Sequence, residues 1–270
     1  MRVAASQLAW HPAEEAAIVH LFGRLGVTGV ELAPTKVFAA PAEAAAEDVR
    51  RYRASWNDRG VEVVAMQALL FGHPEFALFG TEADRERMGD YLARIIALGG
   101  ALGAGALVFG SPGNRRRGEL EPEAALEIAS AFFRRMGKVA ADHGTILCIE
   151  PNPTHYACDF VTTVAEGAEL VERVAHPGFG LHLDAGGMTL NGEVPGDVVP
   201  PVLSRARHFH VSEPQLAPIG EGGTDHVAMA DALRGAGYTG WVSVEMKPAG
   251  ESGNAAHVER ALRLTMARYS

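Results

Sequence analysis

Two cysteines in 270 residues are too few to staple a fold, and Cys148 and Cys158, ten apart, match neither a CxxC redox pair nor a zinc knuckle. Both read as reduced thiols, which argues against a disulfide-built extracellular module. Basic charge is also scarce: 24 Lys and Arg stand against 33 Asp and Glu, a formal net charge of -9. A surface that wraps nucleic acid needs cations for the phosphates, so no nucleic-acid partner is expected and a small molecule is the better candidate. No run of about 18 apolar residues exists to span a membrane, and the apolar stretch in MRVAASQLAWHP is too short for a signal peptide. The expected setting is therefore cytoplasmic, with no membrane partner. Linkers, low-complexity tracts and shifts in composition are missing too, so residues 1–270 read as one domain.

What is present is a large apolar fraction, 47 % of residues, arranged in two alternating rhythms. Short β-rich runs near 2–8, 28–33, 61–67, 105–110, 145–150, 179–184, 207–212 and 240–245 alternate with amphipathic runs near 13–25, 44–59, 82–102, 121–143, 162–174, 197–204, 225–236 and 254–268. Several of the latter end in glycine, as in Asp58-Arg59-Gly60 and Asp142-His143-Gly144. Eight βα units of this length predict a single (β/α)₈ TIM barrel. Pro195, Pro200 and Pro201 crowd the sixth helix and predict a short or irregular element there.

Barrels of this kind build their sites from the segments that follow the strands. In this chain those segments hold the chemistry, whereas the segments before strands, such as GAGA and HGTI, are plain turns. Four strand-like runs end near a metal-ligand type: Glu150 in TILCIEPNP, Asp184 in FGLHLDAGG, His210 in ARHFHVSEP and Glu245 in WVSVEMKP. They are separated by 34, 26 and 35 residues, about one βα unit each. A lone strand-end carboxylate is commonly a helix cap. Three in register with a histidine are another matter, because carboxylates crowded into one mouth raise one another's pKa unless a cation neutralises them. The shell of three carboxylates and one imidazole is hard, which favours Mn²⁺, with Mg²⁺, Co²⁺ or Zn²⁺ as alternatives.

Side chains alternate along a strand, so His208 lies one layer below His210, and His182 one layer below Asp184; both are candidates for core packing or for orienting a ligand. Arg115, Arg116 and Arg117 follow the fourth strand, and Arg115, nearest the GSPGN turn, is a candidate clamp for a substrate phosphate or carboxylate. A solvated charge run is the plainer alternative. Glu31 and Gln67, at the ends of the second and third strands, are candidates for hydrogen bonds to substrate hydroxyls, with capping or packing equally open. Trp10 is a candidate apolar wall beside a sugar, and Glu213 a candidate for orienting a ligand or water. Lys247 and His73 are reserve proton carriers at the same face.

The succession GVELAP, LVFGSPGN, CIEPNP, LHLDAGG, HFHVSEP and VSVEMKP resembles the sugar phosphate isomerase/epimerase group. These are xylose-isomerase-like barrels that include ketose 3-epimerases, hydroxypyruvate isomerases and inosose dehydratases. The resemblance covers essentially the whole chain. It implies that Glu150, Asp184, His210 and Glu245 hold the metal, that Glu150 and Glu245 are also an acid/base pair, and that a homodimer or homotetramer is the candidate assembly. Two departures bear on the substrate. Ketose 3-epimerases carry a His three residues after the Asp ligand, where this chain has Gly187, and the Arg usual after the seventh strand is not evident in SEPQLAPIGEGG.

The resulting expectation is a metal-dependent isomerase or epimerase of a small sugar, sugar acid or sugar phosphate, working through an enediolate. Expulsion of a β-hydroxyl from the same enediolate would instead make it a dehydratase of a keto-sugar or inosose. An abasic-site endonuclease shares the fold, but the chain has too few strand-end histidines and too little basic surface. A sugar-binding subunit without catalysis is the remaining class.

Overall fold

Eight parallel strands close into one barrel in sequence order in the computed structural model, which describes residues 1–270. They are β1 (Arg2–Ser6), β2 (Gly29–Leu32), β3 (Glu62–Met66), β4 (Ala106–Phe109), β5 (Ile146–Ile149), β6 (Phe179–Asp184), β7 (Ala206–Ser212) and β8 (Trp241–Glu245). Around them run α1 (Glu15–Leu25), α2 (Pro34–Val37), α3 (Ala46–Asn57), α4 (Glu82–Leu102), α5 (Pro122–Asp142), α6 (Val164–Val174), α7 (Ala185–Leu190), α8 (Pro195–Val202), α9 (His226–Gly235) and α10 (Asn254–Tyr269). The eight expected strands and eight expected helices are all found. Two short helices were not expected, α2 and α7, and each begins at or just past a strand's C-terminal end.

Local chemistry explains the boundaries. Gly26 and Gly103 end α1 and α4 in left-handed conformation, at φ 71° and 91°, where a Cβ would be strained. Thr81 and Asp84 form a reciprocal cap at the start of α4. The sixth expected helix, α8, is short: Pro195 starts it, and Pro200 and Pro201 lack the N–H groups needed for its last turn.

Alternation along the strands separates two interiors. Outward residues such as Val30, Leu107, Phe109, Leu147, Leu181, Phe209 and Val244 join the helices in one apolar core. On α5 the buried face is Ala125, Ala129, Phe132, Phe133, Met136 and Ala140, a helical repeat. Full burial of each large side chain contributes about 1.5–3 kcal/mol, so this sleeve fixes the strand positions. Small residues, Ala4, Ala65, Ala106 and Cys148, form a separate cluster with Trp241 packed against it. Cys148 and Cys158 are both unpaired and buried, and burial pushes the Cys148 thiol up to about 12.

Candidate metal centre

Strand register assembles the cluster. Asp184 on β6 pairs with His210 on β7, and Ser212 on β7 pairs with Glu245 on β8. Glu150 follows β5 directly, its N–H donating to the Phe109 carbonyl at 3.1 Å. The Nδ1 atom of His210 lies 3.2 Å from Glu245 Oε2, 3.8 Å from Asp184 Oδ2 and 4.0 Å from Glu150 Oε1. It is buried and has no hydrogen-bond partner. The four residues separated by whole βα units thus converge on one point at the strand C-termini.

Asp184 serves two structures at once. Its Oδ1 accepts from the Gly187 N–H at 2.6 Å and caps α7, while Oδ2 accepts from the Ser212 hydroxyl and faces His210. The cap reading of a strand-end aspartate is realised, and the same side chain keeps its other oxygen toward His210. Glu150 depends on a missing side chain, since a Cβ on Gly110 would collide with its Oε2. Gly187 is similarly confined: a Cβ there would come 3.1 Å from Asp184 Oδ1 and 3.4 Å from Pro153.

Crowding sets the electrostatics. Burial, together with the charges of Asp184 and Glu245, pushes Glu150 up to about 8. Burial and the charge of Glu245 push Asp184 up to about 6. Burial opposes protonation of His210, but Glu245 and Glu31 outweigh it and hold its pKa well above the ordinary value. With no cation, the cluster meets its charge by holding protons. A divalent ion would replace them, and an orphaned imidazole nitrogen aimed at three carboxylates is a donor set that fits a hard metal.

Directly beneath lies a second layer. Glu31, fully buried, faces His210 Nε2 with both oxygens, at 3.0 and 3.1 Å, and accepts from the Ser243 hydroxyl at 2.7 Å. His208 Nε2 is 3.5 Å from its Oε1. Burial opposes ionisation of Glu31, yet His210 and His208 outweigh it and hold its carboxyl well below the usual range. Glu31, expected to hydrogen-bond substrate, is reached by no solvent and has both oxygens engaged inside the barrel. His182 lies 3.9 Å from Glu150 through Nε2, with neither ring nitrogen hydrogen-bonded. Single ligand atoms from Glu150, His182, Asp184 and His210 lie within 4.8 Å of one another, as do those from Glu31, His208 and His210.

Ser111 adopts a left-handed conformation, φ 43°, and the turn over Pro112–Arg115 carries the Arg115 guanidinium inward, where it is fully buried. It donates through Nη2 to the Glu150 carbonyl at 2.7 Å and to Asn152 Oδ1 at 3.0 Å. It braces the backbone at Glu150 from inside the protein. Arg117 is tied to Asp159 and Leu120, and Arg116 is exposed. Glu213 is likewise structural, accepting from the Gly220 and Thr224 N–H groups and from His226, which joins Tyr269.

The remaining candidates follow the C-terminal ends of their strands. Trp10 is buried edge-on against Phe22. Gln67 donates to the Ser6 hydroxyl at 2.8 Å. His73 pairs with Glu75 and stacks on Phe76, and Lys247 is exposed. A cavity of about 400 Å³ lies between the loops after β3 and β4, lined by Leu70, Phe71, His73, Ser111, Pro112 and Asn114. Sequence reasoning missed Tyr156, in the loop after β5. Its hydroxyl accepts from the Gln215 N–H across the mouth at 2.8 Å, and burial, with lesser contributions from Asp184, Glu245 and Glu150, raises its pKa. Its place after a strand was the only available signal.

Residues 19–267 match the model of a family described as xylose isomerase-like TIM barrel. No curated protein sequence matches the chain. Among solved structures, the chain is similar to a D-psicose 3-epimerase with D-tagatose from Clostridium cellulolyticum H10, at TM-score 0.83 and 16 % identity over 100 % of both chains. It is also similar to a 3-keto-D-glucoside 4-epimerase from E. coli, at TM-score 0.80 and 16 % identity over 99 % of both. A third is the probable 3-DHS dehydratase of petrobactin synthesis from Bacillus anthracis, at TM-score 0.71 and 15 % identity, covering 98 % of this chain and 99 % of that one. At such identities the likeness is one of fold.

Proposed function

The chain belongs to the xylose isomerase-like TIM-barrel family, and from that premise we propose that it is a divalent-metal-dependent isomerase or epimerase of a small sugar. The observation that carries this reading is the approach of Glu150, Asp184 and Glu245 to within 4.0 Å of the unpartnered Nδ1 of His210. Glu150, Asp184, His210 and Glu245 would hold the ion, with Mn²⁺ as the leading identity. When bound, such an ion supplies an electrophile that draws charge from two adjacent substrate oxygens and acidifies the neighbouring C–H.

The protein's own residues then move the proton. Glu150 or Glu245 accepts it from one face of the reacting carbon, and the electron pair left behind passes into the adjacent carbonyl. The other glutamate returns a proton to the opposite face, which inverts the centre. Delivery to the neighbouring carbon would give aldose–ketose isomerisation. Asp184 and His210 stay fixed, one by the α7 cap and the other by Glu31. The inward turn of Arg115 supports an uncharged sugar over a phosphorylated one, because it removes the nearest bidentate anion clamp.

The test is deuterium wash-in from D₂O with Mn²⁺-loaded protein across a panel of ketoses, sugar acids and their phosphates. Incorporation at a carbon beside the carbonyl, without loss of mass, is the expected result. Loss of water would move the assignment to elimination, and no exchange with any member would leave the acid/base reading without support.

A further inference from the structure

We propose that Glu31 is the positioning residue of the metal centre, holding the His210 ring from below so that its Nδ1 lone pair faces the mouth. The proposal rests on the metal reading given above. Glu31 and His210 come from β2 and β7, 179 positions apart, and both are fully buried. The two Glu31 oxygens lie 3.0 and 3.1 Å from His210 Nε2, so one N–H points between them. An ionised carboxylate only accepts, which makes Nε2 the donor and, in a neutral ring, leaves the lone pair on Nδ1. That nitrogen is the one facing Glu245, Asp184 and Glu150.

Glu31 is itself braced. The Ser243 hydroxyl, directly opposite His210 in the β7–β8 register, donates to Oε2 at 2.7 Å, and His208 flanks Oε1 at 3.5 Å. Histidines that bind metals characteristically donate their other ring N–H to such an acceptor, and removing it costs about 10–100-fold in metal affinity. A second cation among Glu31, His208 and His210 is the competing use of the same atoms. It is disfavoured because both Glu31 oxygens already face the His210 N–H and Oε2 also accepts from the Ser243 hydroxyl, although His208 Nε2 is left without a partner.

Mn²⁺ binding to full-length wild type, Glu31→Gln and Ser243→Ala, followed by the electron paramagnetic resonance of free Mn²⁺, tests this without reference to turnover. Wild type should bind one ion per chain. Glu31→Gln should weaken binding by about 10–100-fold, and Ser243→Ala by a smaller factor in the same direction. In ¹⁵N-histidine spectra of the Zn²⁺-loaded proteins, the His210 proton should sit on Nε2 at a downfield position that moves upfield in Glu31→Gln, a signature that loosened packing alone would not produce. Unchanged affinity and an unchanged resonance in Glu31→Gln would overturn the proposal. So would two ions in wild type with the second lost in Glu31→Gln, since Glu31 would then be a ligand. Should Glu31→Gln fail to fold, Ser243→Ala decides by the same two readouts. Wild type that binds no Mn²⁺ would bring down the metal reading and this proposal together, an outcome distinct from failure at Glu31 alone.

Discussion

The two sides of the His210 ring carry the same chemical group and treat it in opposite ways. Above the ring, burial and the charges of Asp184 and Glu245 push Glu150 up to about 8, and burial and the charge of Glu245 push Asp184 up to about 6. Below it, Glu31 is more deeply buried yet held well below the usual range, because His210 and His208 face it. Burial alone therefore does not decide the charge of a carboxylate here; the sign of its neighbours does. The lower layer supplies donors to both Glu31 oxygens and leaves one nitrogen, His208 Nε2, without a hydrogen-bond partner. The upper layer sets three acids against one imidazole whose Nδ1 has no hydrogen-bond partner, an excess of acid that a divalent ion would balance.

The largest effect that would sharpen this contrast comes from the upper layer. Changing Glu150→Gln or Glu245→Gln keeps the size and one oxygen donor but removes the base, so turnover of Mn²⁺-loaded protein on a verified substrate should fall by about 10²-fold or more. Near-normal turnover in both variants would direct the search for the proton carrier to Lys247 or His73. Next comes Gly110→Ala, whose Cβ would collide with Glu150 Oε2. A displacement of about 1 Å at a catalytic group costs up to about 10²-fold, so kcat should drop while the melting temperature changes little. If kcat holds, Glu150 does not need its observed position.

A smaller effect separates the layers by pH. Folding raises the pKa of Glu150 and Asp184 from 4.5 and 3.8 to about 8 and about 6, so their contribution to stability is present at acid pH and lost as pH rises through those values. Chelator-treated protein should therefore lose melting temperature between about pH 5 and pH 8. Mn²⁺ at one fixed concentration, 100 times its Kd at pH 8, should restore about 2.7 kcal/mol at pH 8 and less at pH 5.5, because ligands must be deprotonated. Equal gains at both pH values would mean that the ion binds elsewhere. The smallest kinetic effect is expected from Arg115→Ala. Its buried hydrogen bonds make it a stability residue, worth about 1.5–3 kcal/mol, and KM should change equally for charged and neutral sugars. A selective rise for the charged sugar would reinstate the anion clamp.

How much of this was legible in the sequence follows the same division. The upper layer was, because each member lies within two residues of its strand's C-terminal end and the period-2 alternation of strands turns Glu150, Asp184, His210 and Glu245 toward one axis. The barrel was legible for the same reason: eight apolar runs and eight amphipathic ones alternate without a competing pattern. The role of Glu31 was not, because its partner lies 179 residues away and only barrel closure brings β2 opposite β7. The inward direction of Arg115 was not legible because it depends on the left-handed Ser111, and a residue before proline ordinarily favours extended backbone. Helix α7 was missed because AGGMTL is short and glycine-rich, and it forms where Asp184 caps it.

The most direct test is where a bound ion lies relative to the His210 ring. Crystals grown with Mn²⁺ and measured at the manganese absorption edge should show one anomalous peak on the Nδ1 side, about 2.0–2.4 Å from Nδ1 and from an oxygen of each of Glu150, Asp184 and Glu245. A peak on the Nε2 side, between Glu31 and His208, or Mn²⁺-saturated crystals with no peak at the ring, would contradict the account.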